Sequence, residues 1–445
     1  MMKRPAILSL LAALALPAMT LPAGPLSAQQ AQPAPAPATT TAQAEQGALA
    51  MRAGQVVALV NGDLAVPYDE VFTEAFLAQV PPAQLEALSQ QLTSQFGAAL
   101  AVETLDPANP ARARLEIRME RAIAKGGIAI DAESGNRISE LLFREFEPVN
   151  DSVEKITADL AALPGEVGAY FGPVKGLTPV IAINHEQPFA VGSTFKLYVL
   201  ATLAQDIKEG RRSWDDVVEL DTKSFPSGKL QDWPKGAPLT LHTLASLMIS
   251  ISDNTATDHL IEIVERERVE EVMRKSEHSA PGLNTPFLKT RELFLLKGGD
   301  ADRLAAYRAA GPDERCRILA GLKGEDLDLA ALARTFDGNP VAIDVEWFAS
   351  AEDLRKLFLY MMMKGDPRAL EVLSINAGLP DAVADKWQHI AFKGGSEPGV
   401  LHLTWLLQDE AGEWHLLNLA WNNPTAPVDQ DTLTLIAQRI ASLAR

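Results

Sequence analysis

The feature that most restricts the fold is where strand patterns fall in the long C-terminal part of the chain. Beyond residue 148 they cluster at its two ends. Gly165–Phe171 and Val180–Ile183 read as strands near its start, with a turn near Gly176. His389–Lys393, Val400–Gln408 and Trp414–Trp421 read as strands near its finish, the last two joined by a hairpin turn at Glu410-Ala411-Gly412-Glu413. Helical patterns fill the middle. One helix opens near Ser193, two more run from Leu239 to Val264 with a break at Ser252-Asp253-Asn254, and an amphipathic helix, Val428 to Leu443, closes the chain. Strands far apart in sequence must therefore meet in one sheet, which predicts an α/β sandwich built from both termini.

The part before residue 148 reads as three further pieces. Lys3 and Arg4 precede an apolar run, Pro5 to Leu21, and then Leu26-Ser27-Ala28, the pattern of a secretory signal peptide over residues 1–28. The run is short and broken by Pro17, which disfavours a membrane-spanning helix. The expected location is secreted or periplasmic, with no integral span after cleavage. Residues 29–50 are rich in Gln, Ala, Pro and Thr and are expected to be a disordered tether. Residues 51–147 carry helical patterns around Phe72 and Phe76 and from Ala83 to Phe96. Alternating stretches at Leu115, Ile117 and Met119, at Ile128 and Ile130, and from Ile138 to Phe146 follow. That order predicts a small α+β domain, and it resembles the steroid-isomerase or cystatin-like group in pattern only. A homodimer through this unit is a further expectation. Residues 148–445 form the last domain.

Charge and cysteine content narrow the chemistry. The formal net charge is −18 with no visible basic patch, which argues against nucleic acid as a partner. The single cysteine, Cys316, cannot pair within the chain, so the core alone must stabilise it. Histidines stand at 185, 242, 259, 278, 389, 402 and 415, no two with metal-ligand spacing, so neither a metal nor another cofactor is expected.

Three short motifs carry the functional signal. Ser193-Thr194-Phe195-Lys196 puts a hydroxyl and an ammonium on one helix face, three residues apart. A desolvated lysine near a second cation can act as the base that a serine nucleophile needs. Ser252-Asp253-Asn254 sits at a helix break, where it reads either as an N-cap or as a relay hydroxyl beside a substrate-binding amide. Lys393-Gly394-Gly395-Ser396 ends a strand, and its glycines let a substrate lie along the edge. Each is weak alone: Ser152-Val153-Glu154-Lys155 repeats the first, and Lys125-Gly126-Gly127 and Lys297-Gly298-Gly299 repeat the third.

Their order resembles the serine β-lactamase and penicillin-binding family. The flanks agree: Pro238 to Leu244, Asp253 to Asp258 and Ser350 to Leu354 look like class A β-lactamase segments. The resemblance implies a β-lactamase-like sandwich, an antiparallel sheet flanked by helices plus an all-helical subdomain. It implies that Ser193 attacks a carbonyl, Lys196 takes its proton, and Ser252 relays a proton to the leaving nitrogen with Lys393. Asn254 would hold the substrate amide, and the backbone N–H groups of Ser193 and Ser396, beside Gly395, would form the oxyanion hole. Asp253 reads as structural. The small α+β domain ahead of this unit also resembles the plan of β-lactamase-like clavulanic-acid biosynthesis proteins.

Two departures stand out. The family has Thr or Ser where this chain has Gly394, which puts substrate-carboxylate recognition in doubt. Thr290-Arg291-Glu292-Leu293-Phe294 lies where class A enzymes carry a deacylating glutamate, but Phe294 replaces the usual asparagine. Glu292 reads equally as that base or as the ion-pair partner of Arg291. Residues 298–339 read as an exposed helical insertion. The leading expectation is hydrolysis of a small β-lactam substrate. An esterase or D,D-peptidase-like enzyme on the same scaffold, and a non-catalytic binding protein, are the alternatives.

Overall fold

The computed structural model describes residues 39–149, 151–176, 178–225, 227–326 and 328–443. The signal-peptide reading and the first part of the tether, residues 29–38, lie outside the described residues. The N-terminal unit opens with helix α1 (Thr39–Val60), followed by α2 (Tyr68–Val71), α3 (Glu74–Gln79) and α4 (Pro82–Phe96). A meander follows: β1 (Ala99–Asn109), β2 (Arg112–Met119), β3 (Ala122–Asp131) and β4 (Arg137–Pro148) pair in that order as an antiparallel sheet. Leu115, Ile117 and Met119 alternate inward from β2 and are buried against α1, where Leu49, Ala53 and Val56 are also buried. Helix α1 thus takes in residues 39–50, the end of the stretch expected to be a tether. No proline occurs there, and alanine and glutamine are good helix formers. Strand β1 was not legible because it is an edge strand with a mostly exposed face and Pro107 near its end.

The second unit begins with α5 (Val153–Ala161), β5 (Glu166–Pro173), β6 (Ile181–Ile183) and β7 (Phe189–Ala190). Its helical middle comprises α6 (Lys196–Lys208), the short strands β8 (Val217–Glu219) and β9 (Pro238–Thr240), α7 (Leu241–Ser250), α8 (Asn254–Val264), α9 (Arg266–Lys275) and α10 (Thr290–Lys297). The insertion forms α11 (Ala301–Ala309), α12 (Pro312–Gly321) and α13 (Leu329–Thr335). It is less exposed than expected, because Tyr307, Leu319, Leu322 and Leu332 are buried. Then come β10 (Phe348–Ala349), α14 (Ala351–Lys364), α15 (Arg368–Leu373), α16 (Asp381–Ala384), β11 (His389–Glu397), β12 (Val400–Gln408), β13 (Trp414–Asn422) and α17 (Gln430–Ala441).

The main sheet has the order β11-β12-β13-β5-β6, antiparallel throughout, so strands from both ends do meet. β12 and β13 are buried on both faces, which is why they read as nearly unbroken apolar runs. One face of β12 sends Leu401, Leu403, Trp405 and Leu407 into a core with Ile156 of α5 and Ile436 of α17. The opposite face presents His402, Thr404 and Leu406 toward the helical layer. Leu435 of α17 packs against the N-terminal core, and Arg439 is held by Asp151 and Asp159, so the last helix braces both units. Among the described residues no helix is long and apolar enough to cross a membrane, and no group of three or more His, Cys, Asp or Glu could hold a metal ion.

Candidate active site

The site lies where β11, the start of α6 and the α7–α8 break converge. Gly192–Phe195 forms a tight 3-10 turn before α6 rather than part of that helix. The turn is fixed from below. Val191 N–H donates to the Trp347 carbonyl at 2.9 Å, and the Phe195 ring stacks on Trp347 with centroids 3.7 Å apart. Gly192 has φ +47°, and a Cβ there would stand 3.0 Å from Ser396 N. On the facing strand, a Cβ on Gly395 would stand 2.3 Å from Ser193 N and 2.2 Å from Val191 O. Both glycines therefore permit one close backbone approach, which brings Ser193 N and Ser396 N near each other.

Lys196 is fully buried and opens α6. Its Nζ donates to the Ser252 carbonyl (2.7 Å), Ser252 Oγ (3.0 Å) and Asn254 Oδ1 (2.7 Å). Burial, and then the charge of Lys393, hold its pKa well below the ordinary lysine value. Lys393 Nζ donates to the same Ser252 Oγ at 3.1 Å and to the Gly394 carbonyl, and burial pulls its pKa down to about 7. Ser252 Oγ thus accepts from two lysines, which leaves its own proton free to point elsewhere. Ser193, Lys196, Ser252, Asn254, Lys393, Gly395 and Ser396, picked from three separate motifs, are brought together. The decoys are not: Ser152 caps α5, Lys125 lies within β3 paired to Glu145 and Glu147, and Lys297 closes α10.

Ser252 adopts φ +56°, a left-handed conformation uncommon for a residue with a Cβ. The conformation is held from both sides. Its carbonyl accepts from Lys196 and from Ser227 Oγ (2.7 Å), and Asp253, fully buried, accepts from Lys229 N, Leu230 N and Ala256 N at 2.6, 2.9 and 2.8 Å. Asp253 is thus both the N-cap of α8 and the anchor of the 228–230 loop, as its structural reading implied. Asp253→Ala removes the acceptor from three buried or half-buried N–H groups and is expected to destabilise the fold by about 3–4 kcal/mol, read by urea unfolding. A loss below about 1 kcal/mol would mean the loop is anchored otherwise.

The Glu292 carboxylate is engaged by groups outside the catalytic set. Its Oε1 accepts from Arg266 at 2.6 Å and its Oε2 from Lys289 N at 2.8 Å, so it is an ion-pair partner, of Arg266 and not of Arg291. Arg291 donates instead to the carbonyls of Lys223 and Glu325. The start of α10 lies beside the site, since the Thr290 hydroxyl donates to the Asn254 carbonyl at 3.4 Å, but the Glu292 carboxylate is taken up by Arg266 and Lys289 N. All three donors of Lys196 end on oxygens other than carboxylates. Phe294 packs edge-on against Phe336 of the insertion, with centroids 5.4 Å apart, which accounts for the missing asparagine. Gly394 also has a packing reason. A Cβ there would stand 3.0 Å from the Phe392 ring and 3.2 Å from Leu403, space that the Phe392–Trp405 stack already fills.

Sequence reasoning missed Ser227 and Asp258. Ser227 donates into the Ser252 turn, and Asp258 fastens α10 by accepting from Thr290 N and Arg291 N at 2.7 and 2.9 Å. Ser227 belongs to no motif, and Asp258 only closes the segment after Ser252-Asp253-Asn254, with no role assigned to it; each partner is more than twenty positions away.

Residues 151–326 match the beta-lactamase enzyme family. Similar solved structures include a beta-lactamase from Sphaerobacter thermophilus (21% identity, 65% of this chain and 95% of that one, TM-score 0.45). PBP-A is another (18%, 66% and 94%, TM-score 0.45), as is a beta-lactamase from Francisella tularensis (12%, 65% and 97%, TM-score 0.46). No curated protein matches the sequence.

Proposed function

We propose that the chain, whose residues 151–326 match the beta-lactamase enzyme family, is an exported serine hydrolase of the β-lactamase and penicillin-binding type, acylated on Ser193 by β-lactams and slow to release the acyl group. The observation that carries this reading is the coordination of Lys196: fully buried, its pKa held low, one helical turn from Ser193 in sequence, and with no carboxylate among its hydrogen-bond partners. Export is supported by the Lys3-Arg4 region, the apolar run after it and Leu26-Ser27-Ala28.

The neutral Lys196 amine takes the Ser193 proton as Oγ bonds to the lactam carbonyl carbon. Negative charge on the carbonyl oxygen meets the N–H groups of Ser193 and Ser396. The C–N bond then breaks, and the Ser252 hydroxyl passes a proton to the departing nitrogen, re-protonated from the lysine side. Lys393 in its protonated form sets positive charge next to Ser252, and Asn254 orients both Lys196 and the substrate amide. Completing hydrolysis requires a water and a base to deprotonate it. Glu292, the one residue the sequence offered, is committed to Arg266.

Intact-mass spectrometry with a cephalosporin tests this. The expected result is a covalent adduct on wild type, none on Ser193→Ala, and adduct decay over minutes or longer, unchanged in Glu292→Gln. Rapid decay that Glu292→Gln abolishes would restore Glu292 as the base and make the protein a deacylating β-lactamase. A second reading, an esterase, draws on Gly394: without a hydroxyl there, the site lacks one usual anchor for a substrate carboxylate. It predicts turnover of small uncharged acyl esters with little lactam adduct.

A further inference from the structure

A buried charged cluster outside the catalytic constellation joins three segments of the fold. Lys297 closes α10, Glu346 precedes Trp347, and Glu397 follows Ser396 at the end of β11. The Lys297 ammonium lies 3.1 Å from Glu346 Oε1 and 2.5 Å from Glu397 Oε1, and the three side chains are 0%, 1% and 11% exposed. Glu346 also accepts from Trp347 N at 3.2 Å. Trp347 is the residue on which Phe195 stacks and to whose carbonyl Val191 donates, so the cluster reaches the floor of the nucleophile turn through one residue. On the other side, Glu397 shares its face of β11 with Lys393 and Gly395. It is the last pair of the β11–β12 ladder, opposite Val400, just before the hairpin turn at Gly399. A strand end beside a turn is where a ladder frays most easily, and here that end carries the Ser396 N–H.

We propose that Lys297, Glu346 and Glu397 are positioning residues that clamp the end of β11 against the nucleophile turn, and that the clamp holds when the two carboxyl groups share one proton. In that form one ammonium faces one carboxylate and one carboxylic acid, a neutral set suited to burial. With both carboxylates ionised, the pocket carries an uncompensated negative charge. Burial, and then Glu346, push the Glu397 carboxyl up to about 8, against the opposing pull of Lys297. The Lys297 ammonium keeps its charge, because the two glutamates more than offset its burial. The groups facing Glu397 are Lys297 from α10 and Glu346 from the segment before β10; Val400 across the ladder does not titrate. The sign follows: the raised pKa makes the clamp complete below about 8 and loosens it as pH rises through that value.

The inference rests on acylation at Ser193, and Glu397→Gln tests it. Gln preserves shape and fixes the neutral form. The rate of acylation by a chromogenic cephalosporin is measured from pH 6 to 10 for wild type, Glu397→Gln and Glu397→Ala. Titration of Lys196 and Lys393 is common to all three, so the ratio of rates isolates Glu397. The ratio of Glu397→Gln to wild type should be near one at pH 7 and rise to about tenfold at pH 9, the inverse of the fraction of wild type that keeps the proton. Glu397→Ala should acylate at least about tenfold more slowly at every pH. A ratio that stays flat with pH, or wild-type rates in Glu397→Ala, would overturn the clamp. If wild type forms no adduct, the acylation reading fails separately. The clamp is then decided by amide exchange over residues 394–398, expected to quicken between pH 7 and 9 by more than the intrinsic pH dependence in wild type but not in Glu397→Gln. Identical exchange in the two would refute it.

Discussion

Lys196→Met is expected to lower the second-order rate of Ser193 acylation at pH 7 by about 10²- to 10⁴-fold, the usual range for removing a positioned general base. Time-resolved adduct formation measures it. In wild type the rate should climb with pH as Lys196 loses its proton, and because burial and Lys393 depress that pKa, the climb should lie well below the ordinary lysine range. Lys196→Met should lack this limb. Stability should move the other way. A lysine whose folded pKa lies below its unfolded value binds more protons when unfolded, so it costs stability at every pH below its unfolded pKa, most fully at and below its folded one. Methionine of similar length removes that cost, and the variant should unfold at no lower urea concentration than wild type. Loss of both activity and stability would mean that Lys196 is a structural cation. Retention of the full acylation rate would leave Ser193 without its proposed base.

The parts of this site that were legible in the sequence are those whose partners lie a fixed, short distance away. Ser193 and Lys196 are one helical turn apart, and Ser252 to Asn254 mark a helix break with a capping aspartate; both patterns follow from local geometry. β12 and β13 were legible because a strand covered on both faces is apolar at nearly every position. β1 at a sheet edge, and α1 in an alanine- and glutamine-rich stretch next to a proline tract, lack such contrast. Ion pairing was the least legible. Glu292 has an arginine beside it in sequence and pairs with Arg266 instead, while Lys297 reaches Glu397, 100 positions on. No periodicity encodes those partners; the packing of α8 against α10, and of α10 against the end of β11, selects them.

The same distinction separates the two central glycines of the lysine strand, and Gly395→Ala makes it measurable. The added methyl would lie 2.2 Å from Val191 O and 2.3 Å from Ser193 N. Both are backbone atoms of a turn pinned by Trp347 and by the Phe195 stack, so neither can swing aside as a flexible side chain would. The strand and the turn must separate by about an ångström, which pulls the two oxyanion donors apart. Loss of one such donor lowers rates by about 10²- to 10³-fold, and the acylation rate of Gly395→Ala should fall by at least that much. Gly394→Ala is the matched comparison. Its methyl points to the opposite face, 3.0 Å from the edge of the Phe392 ring, and a small shift of that side chain accommodates it. Acylation should then fall by less than about tenfold. Equal effects at the two positions would show that any added bulk distorts β11, and would remove the case for a specific meeting of Ser193 N and Ser396 N. A large effect at Gly395 alone ties the rate to that close approach, and so to the donors it brings together.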